Sequence, residues 1–254
     1  MEREATTVSI VSWNVHSFSF LPPGSDWNGA GSQTAKSIRA LLDEHDISIA
    51  CFQECPRTQL VNTFGQERCF YAPAPGPYMG NGVYVRDPHI KVYSAEAFPL
   101  DVDRSAMSLL LGIEGRRFRV YATHLDYQSE TRRLRQVAKL FEIMERDDGL
   151  PTLLCGDFNA LLRSDYSDEE WNAMNQRRIS RQWEACASKV IPRIVADGWL
   201  KDLSGCKPIF GSRFQTRIDY FFGTQNVKVV ETDTQIPNAN HLSDHQNIMV
   251  KIAI

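Results

Sequence analysis

Several short apolar runs in this chain stop at a carboxylate, a carboxamide or an imidazole. The run at 153–162, LLCGDFNALL, shows it most plainly, because Asp157 and Asn159 interrupt residues that otherwise call for burial. TVSIVSWN stops at Asn14, ISIACFQE at Glu54 and RRFRVYATHL at His124; RIDYFFG carries Asp219, and Asp244 and His245 precede NIMVKIAI. These runs are short and rich in β-branched and aromatic residues, which suits buried strands. ISIACFQE is apolar at odd and even positions alike and reads as a central strand.

Helical patterns lie between the strands. In SQTAKSIRALLDEHD, Ala35, Ile38, Leu41 and Leu42 recur at helical spacing, and Leu134, Val137, Leu140, Phe141 and Met144 do so over 129–146. GNGVYVRD, HIKVYSAE, SAMSLLLGIE and RRFRVYATHL read as a β-meander, with EGRR as the last turn. Residues 161–206 are polar and mixed. Ser167 three before Glu170 is a capping-box signature, so helices are expected near 167–178 and 181–196. VKVVETD and NIMVKIAI close the chain as strands. Helices interleaved with many sequence-adjacent strands predict an α/β fold, with helices outside two mostly antiparallel or mixed sheets.

The 254 residues contain no linker, repeat or low-complexity tract, and one domain over 1–254 is expected. A net charge of −3 excludes a broadly basic, nucleic-acid-coating surface and leaves room only for a local one. The polar start, MEREATTVSI, is unlike a signal peptide, and no apolar stretch is long enough to span a membrane. Cys51, Cys55, Cys69, Cys155, Cys186 and Cys206 form no C-x-x-C pair, which predicts reduced, mostly buried thiols in an intracellular (cytoplasmic or nuclear) protein, read as a monomer.

Each polar strand end has a structural reading by itself: Asn and Asp make Asx-turns and caps, and a lone histidine is commonly a satisfied structural one. Their joint occurrence carries more. On a strand, Asp157 and Asn159 share a face, as do Arg217 and Asp219, whereas Asp244 and His245 serve one site only if LSDH bends as a loop. His241 and His245 lie four apart, but with no H-E-x-x-H pattern they are not a zinc pair. Buried carboxylates need pairing, hydrogen bonds or a cation. Should Glu54, Asp157, Asp219 and Asp244 converge, their oxygens suit Mg²⁺ or Mn²⁺, and such a site supports phosphoryl chemistry.

SWN (12–14), FQE (52–54), THLD (123–126), GDFN (156–159), RIDY (217–220) and SDH (243–245) follow one another in order. With these six motifs the chain resembles the endonuclease/exonuclease/phosphatase (DNase I-like) superfamily. The resemblance implies a four-layered α/β sandwich with the site at one edge, and metal-dependent attack of water on phosphorus. It implies that Glu54, with Asn14 and Asp244, binds the metal. Asp157 would orient or deprotonate the water, Asn159 would hold phosphate or water, and His245 would contact phosphate with Asp219 as its carboxylate partner. His124 resembles the second histidine of the DNase I-like and sphingomyelinase-like branches. His16 departs from the acidic residue of the abasic-site branch, and Arg217 before the Asp departs from the inositol 5-phosphatases.

Three features bear on substrate. Phe18, Phe20 and Trp27 in the loop 17–32 could stack on bases or pack on the fold. Arg104 could contact a phosphate or be an exposed structural arginine. The 161–206 insertion, with Trp171, Trp183, Arg177, Arg178 and Arg181, could form a lid, a backbone-contacting arm, or a solvated helical pair with Trp anchors in the core. The expected activity is a phosphodiesterase acting on nucleic acid or nucleotide ends. The alternatives are a phosphodiesterase or phosphatase of a phospholipid headgroup or sugar phosphate, and an inactive binding domain.

Overall fold

The computed structural model describes residues 6–19, 30–74, 79–144, 149–204, 212, 215–237, 239 and 241–254. Two six-stranded sheets carry the fold. The first has the order β11 (Lys228–Thr234), β12 (Ile248–Ala253), β1 (Thr7–Asn14), β2 (Ile49–Cys55), β4 (Gly80–Val85), β3 (Cys69–Pro73). The second has the order β5 (Lys91–Asp101), β6 (Arg104–Ile113), β7 (Arg116–His124), β8 (Thr152–Asp157), β10 (Asp219–Thr224), β9 (Leu200–Asp202).

Each sheet is antiparallel except for one central pair. β1 runs parallel to β2 and β7 parallel to β8, and a helix makes each crossover: α1 (Ala30–Glu44) in the first sheet, α3 (Glu130–Met144) in the second. The carboxyl ends of these pairs hold Asn14 and Glu54 in one sheet, and His124 and Asp157 in the other. The Asn14 amide reaches Asp157 at 3.0 Å, so both ends open on one edge of the sandwich.

Three apolar layers account for the alternation along the strands. Ile10, Ile49, Val83, Val120, Leu153 and Phe221 meet between the sheets. Val11, Trp13 and Phe52 face Ala35, Ile38 and Leu42 of α1, and α2 (Arg57–Phe64) adds Leu60 and Phe64. Tyr121, Leu154, Tyr220 and Phe222 face Val137, Leu140 and Met144 of α3. The result is the four-layered α/β/β/α sandwich that the sequence predicts.

Several local expectations are corrected. β4 leaves the meander and pairs with β2 and β3, so only β5, β6 and β7 form it. Its tight turn is Glu114–Gly115, both at positive φ as a two-residue hairpin requires. The short elements α2, β3 and β9 have too few apolar positions for periodicity to reveal them.

In the insertion, α4 (Asp168–Ser180) begins at Ser167 with the expected capping box, both reciprocal bonds present. The second helix is only α5 (Val190–Val195), not 181–196. Residues 183–189 form no regular element and are held by tertiary bonds. The Glu184 carboxylate caps the start of α3, accepting from Glu130 N at 2.6 Å and Ser129 Oγ at 2.6 Å, where the helix dipole favours negative charge. Cys186 N donates to Asn175 Oδ1 and Lys189 N to Glu130 Oε1. Phe20, Trp27 and Cys206 lie outside the described residues. The five described cysteines are free thiols, and Cys51, Cys55 and Cys155 are buried.

Candidate active site

β8 ends at Asp157, and the chain turns at once. Gly156 has φ +146°, and a Cβ there would lie 1.9 Å from the Thr123 carbonyl oxygen, so only glycine lets β8 lie this close to β7. That approach sets His124 directly across from Asp157, and β10 sets Asp219 across from Asp157 on the other side. Asn159 joins them by a turn rather than by strand alternation. It adopts φ +49°, and its N–H donates to Asp157 Oδ1 at 2.9 Å. Its amide nitrogen donates to the Leu125 carbonyl and to His124 Nε2, each at 3.1 Å, which assigns Nε2 as the acceptor.

Asp157 is buried. Its Oδ2 accepts from Asn14 Nδ2 at 3.0 Å and lies 3.7 Å from His124 Nε2 and 3.9 Å from His245 Nδ1. Burial, and then the Asp219 charge, raise its pKa above the ordinary aspartate value. His245 Nδ1 lies 2.8 Å from Asp219 Oδ2. Burial disfavours a charged His245, but the Asp219 carboxylate outweighs it and raises the imidazole to about 10. Burial is also the first cause at His124, and there it wins: with Arg104 adding to it, His124 is lowered and stays neutral.

The SDH segment bends as a loop, as a shared site for Asp244 and His245 requires. Two bonds fix it to β1: Trp13 Nε1 donates to the His245 carbonyl at 3.0 Å, and Ser243 Oγ to the Asn14 carbonyl at 2.6 Å. Trp13 is a positioning residue that the sequence reading missed, because its indole is buried like any core aromatic.

Glu54 ends the opposing parallel pair. Its φ of +49° turns the carboxylate toward the site. Burial would raise it, but contact with His16 and Asn14 lowers it to about 2, so it is anionic. Asn14 faces this pair with its nitrogen: Nδ2 reaches Glu54 Oε1 at 3.3 Å, while Oδ1 accepts from His16 N at 3.1 Å. His16 Nδ1 in turn lies 3.6 Å from Glu54 Oε2 and 3.5 Å from Asp244 Oδ1.

The donor set fits a hard divalent cation. Two groups offer themselves. The ligand atoms of Asp157, Asp219 and His245 lie within 4.8 Å of one another, but that Nδ1 is already held by Asp219 and protonated. Glu54 and Asp244 are the second, each within 3.6 Å of His16 Nδ1, but these three do not close to within 4.8 Å of one another as the first group does.

A cavity of about 580 Å³ opens over these groups, lined by Glu54, His124, Asp157, Asn159, Asp244 and His245. Its wall includes Arg104, whose guanidinium sits 5.9 Å from the Tyr127 ring, and Tyr127 meets Trp183 edge-on at 5.2 Å. Arg177, Arg178 and Arg181 also line it, so one face of α4, which is otherwise mostly exposed, and the segment after it wall the site. Trp171 lies apart, against Tyr166 in a small satellite core.

Phe18 lies in the core against Phe52 and is not a stacking platform. Arg217 does not share the Asp219 face: β10 starts only at Asp219, and Arg217 turns to Asp165 and Asp202 and stacks on Tyr220 at 4.4 Å. Arg132 and Gln136, beside THLD, tie α3 to Asp126.

Comparison with protein-family models matches residues 11–245 to the Endonuclease/Exonuclease/phosphatase family. No curated protein matches the chain. Solved structures share its fold. An endonuclease/exonuclease/phosphatase from Bacteroides vulgatus is 18% identical with a TM-score of 0.72, covering 98% of this chain and 99% of that one. The Bacteroides thetaiotaomicron mannosyl-6-phosphatase is 18% identical with a TM-score of 0.67, covering 97% of this chain and 100% of that one. The human Nocturnin catalytic domain with bound sulfate is 15% identical with a TM-score of 0.70, covering 99% of this chain and 94% of that one. Sheet order, motif order and the match across nearly all of the sequence agree: the chain belongs to the endonuclease/exonuclease/phosphatase family, whose members generally hydrolyse phosphoester bonds.

Proposed function

We propose that this protein is a Mg²⁺- or Mn²⁺-dependent phosphoester hydrolase, a phosphodiesterase acting on nucleic acid or nucleotide ends. One observation carries the reading: carboxylates, an amide, a charged histidine and a neutral one, contributed by both sheets, line a single cavity.

Glu54 and Asp244 would hold the cation, with the Asn14 amide steering Glu54. When bound, the cation neutralises phosphate charge and polarises the phosphorus–oxygen bonds. Asp157 would take the proton of the attacking water. Its raised pKa suits a base, and the Asn14 and Asn159 N–H groups aim it. Asn159 uses its amide nitrogen on His124 and Leu125, so its carbonyl oxygen is the group that accepts from the water. His245, charged and held at Nδ1 by Asp219, would donate from Nε2 to a phosphoryl oxygen as negative charge builds there. Neutral His124 would keep Asn159 in place. Arg104 would meet a phosphate at the cavity wall.

The cavity is of small-ligand size, which favours a nucleotide end over a strand laid along a groove. The Tyr127–Trp183 wall brings aromatic surface to the cavity, with Arg104 over the Tyr127 ring and Arg178 and Arg181 over that of Trp183. A second reading, a sugar-phosphate monoesterase, draws on the same enclosure and on the fold shared with the mannosyl-6-phosphatase. Measuring kcat/KM for an end-labelled oligonucleotide, a dinucleotide and a hexose 6-phosphate with Mg²⁺ separates the two. The nucleotide reading expects the dinucleotide and oligonucleotide to lead; a faster monoester would replace it.

A further inference from the structure

The cavity is electrically divided. Its carboxylates, Glu54, Asp103, Asp157 and Asp244, come from the strand ends and the turns beside them. Among the described lining residues, the chain from Leu161 to Ile218 adds three arginines, Arg177, Arg178 and Arg181, and no acid. A walled cleft focuses such a field on its contents, so this end attracts anions.

Helix polarity explains part of the pattern. Arg177 and Arg178 occupy the last turn of α4 and Arg181 its C-cap, where the dipole favours cations, while Asp168, Glu169 and Glu170 hold its first turn. It does not explain why these guanidiniums border the cavity. Arg178 has a structural task. Its Nε donates to the Glu184 carbonyl at 2.8 Å and its Nη2 to the Gln128 carbonyl at 2.9 Å, which fixes the segment after α4 beside the THLD motif. Arg177 and Arg181 stand one helical turn apart and are exposed. Both have other contacts in the fold, and five N–H donors apiece let each keep them and still grip an oxyanion.

A ladder of rings joins this end to the catalytic one. The Arg104 guanidinium lies 5.9 Å from the Tyr127 ring, Tyr127 meets Trp183 at 5.2 Å, and Arg181 lies 5.3 Å from the Trp183 ring. Arg104 neighbours the reacting groups, since its charge helps to lower His124. One continuous wall therefore runs from the centre to Arg181.

We propose that Arg177 and Arg181 seat a second phosphate of the substrate, one that is not cut, so that the preferred substrate is a dinucleotide or short oligonucleotide with a terminal phosphate. This rests on the phosphodiesterase reading above. Water adds across the internal phosphorus–oxygen bond, giving a hydroxyl and a phosphomonoester, while the arginines hold the terminal group. Binding energy from that remote group lowers KM.

The test compares dTpdT with pdTpdT and dTpdTp, with Mg²⁺ or Mn²⁺, in the full chain and in the paired variant Arg177→Gln/Arg181→Gln. A thermal melt checks the fold, and chromatography resolves the products. In the wild type at least one phosphorylated dinucleotide should have a KM about tenfold or more below that of dTpdT, with the cut internal. The paired variant should bring that ratio near one, and Arg177→Lys/Arg181→Lys should restore part of it. Equal KM values in the wild type, or a preference that survives the paired variant, overturn the second-phosphate seat and leave the phosphodiesterase reading standing. Release of the terminal phosphate with the internal ester intact places that group at the catalytic centre and overturns the seat too. No metal-dependent turnover of any of the three overturns both.

Discussion

Asp219 decides the charge on His245, and that charge gives the site a pH signature. His245 is raised from an ordinary 6.5 to about 10, so it stays an imidazolium through neutral pH. A proposed donor to phosphate must keep its proton, so log kcat/KM should hold level to about pH 9 and fall through about pH 10. In Asp219→Asn the alkaline limb should move toward the ordinary histidine range, with a lower plateau. A limb that stays in place would separate Asp219 from the charge of His245. Stability follows the same signs. The His245 contribution is full below pH 6.5 and is lost as pH rises through about 10. Glu54, lowered from 4.5 to about 2, contributes above pH 4.5 and loses that contribution as pH falls toward 2. Asn14, Glu54, Asp157 and Asp219 were legible as candidates because each interrupts an apolar run. His16 was legible only as a departure from a motif, since nothing in VHSF announces a left-handed turn.

At the scale of elements, the approach of β7 to β8 builds the site. Gly156→Ala would drive a methyl group into the Thr123 carbonyl, and a strand cannot absorb that without parting from its neighbour. The variant should lose about 3 kcal/mol of stability and most of its activity, read by denaturant unfolding and by turnover. A Gly156→Ala protein of wild-type stability would show that β8 is not held so close. Arg217 ties the insertion to β9 through Asp165 and Asp202. Arg217→Ala leaves those two carboxylates without it; since Asp202 is partly exposed, the expected loss is about 2 kcal/mol by thermal melt. No measurable loss would mean that solvent already screens the pair. The long elements α1 and α3 and most strands were legible from periodicity. The stretch 183–189 was not, because Glu184 serves the α3 N-terminus across the fold, a demand that local sequence does not display.

At the scale of the molecule, each sheet places one parallel pair at its centre, and the two pairs open on the same edge. That arrangement turns four strand ends, far apart in sequence, into one acidic site. The sequence carried the two-sheet architecture because apolar strands outnumber the helices and lie next to one another. It could not show that the insertion walls the cavity, since Trp183 and Tyr127, far apart in sequence, meet only where Arg178 bonds the carbonyls of Tyr127 and Gln128. Among the described residues no helix is long and apolar enough to cross a membrane. The central claim is that Asp157 acts on water in a metal-dependent phosphoester site. The measurement that tests it most directly is turnover of bis-p-nitrophenyl phosphate by the wild type and by Asp157→Asn, with Mg²⁺ and with EDTA, alongside a thermal melt. Turnover should need Mg²⁺ and fall by at least about a hundredfold in a variant that still melts like the wild type. Turnover unaffected by EDTA, or an Asp157→Asn variant that is fully active, would contradict it.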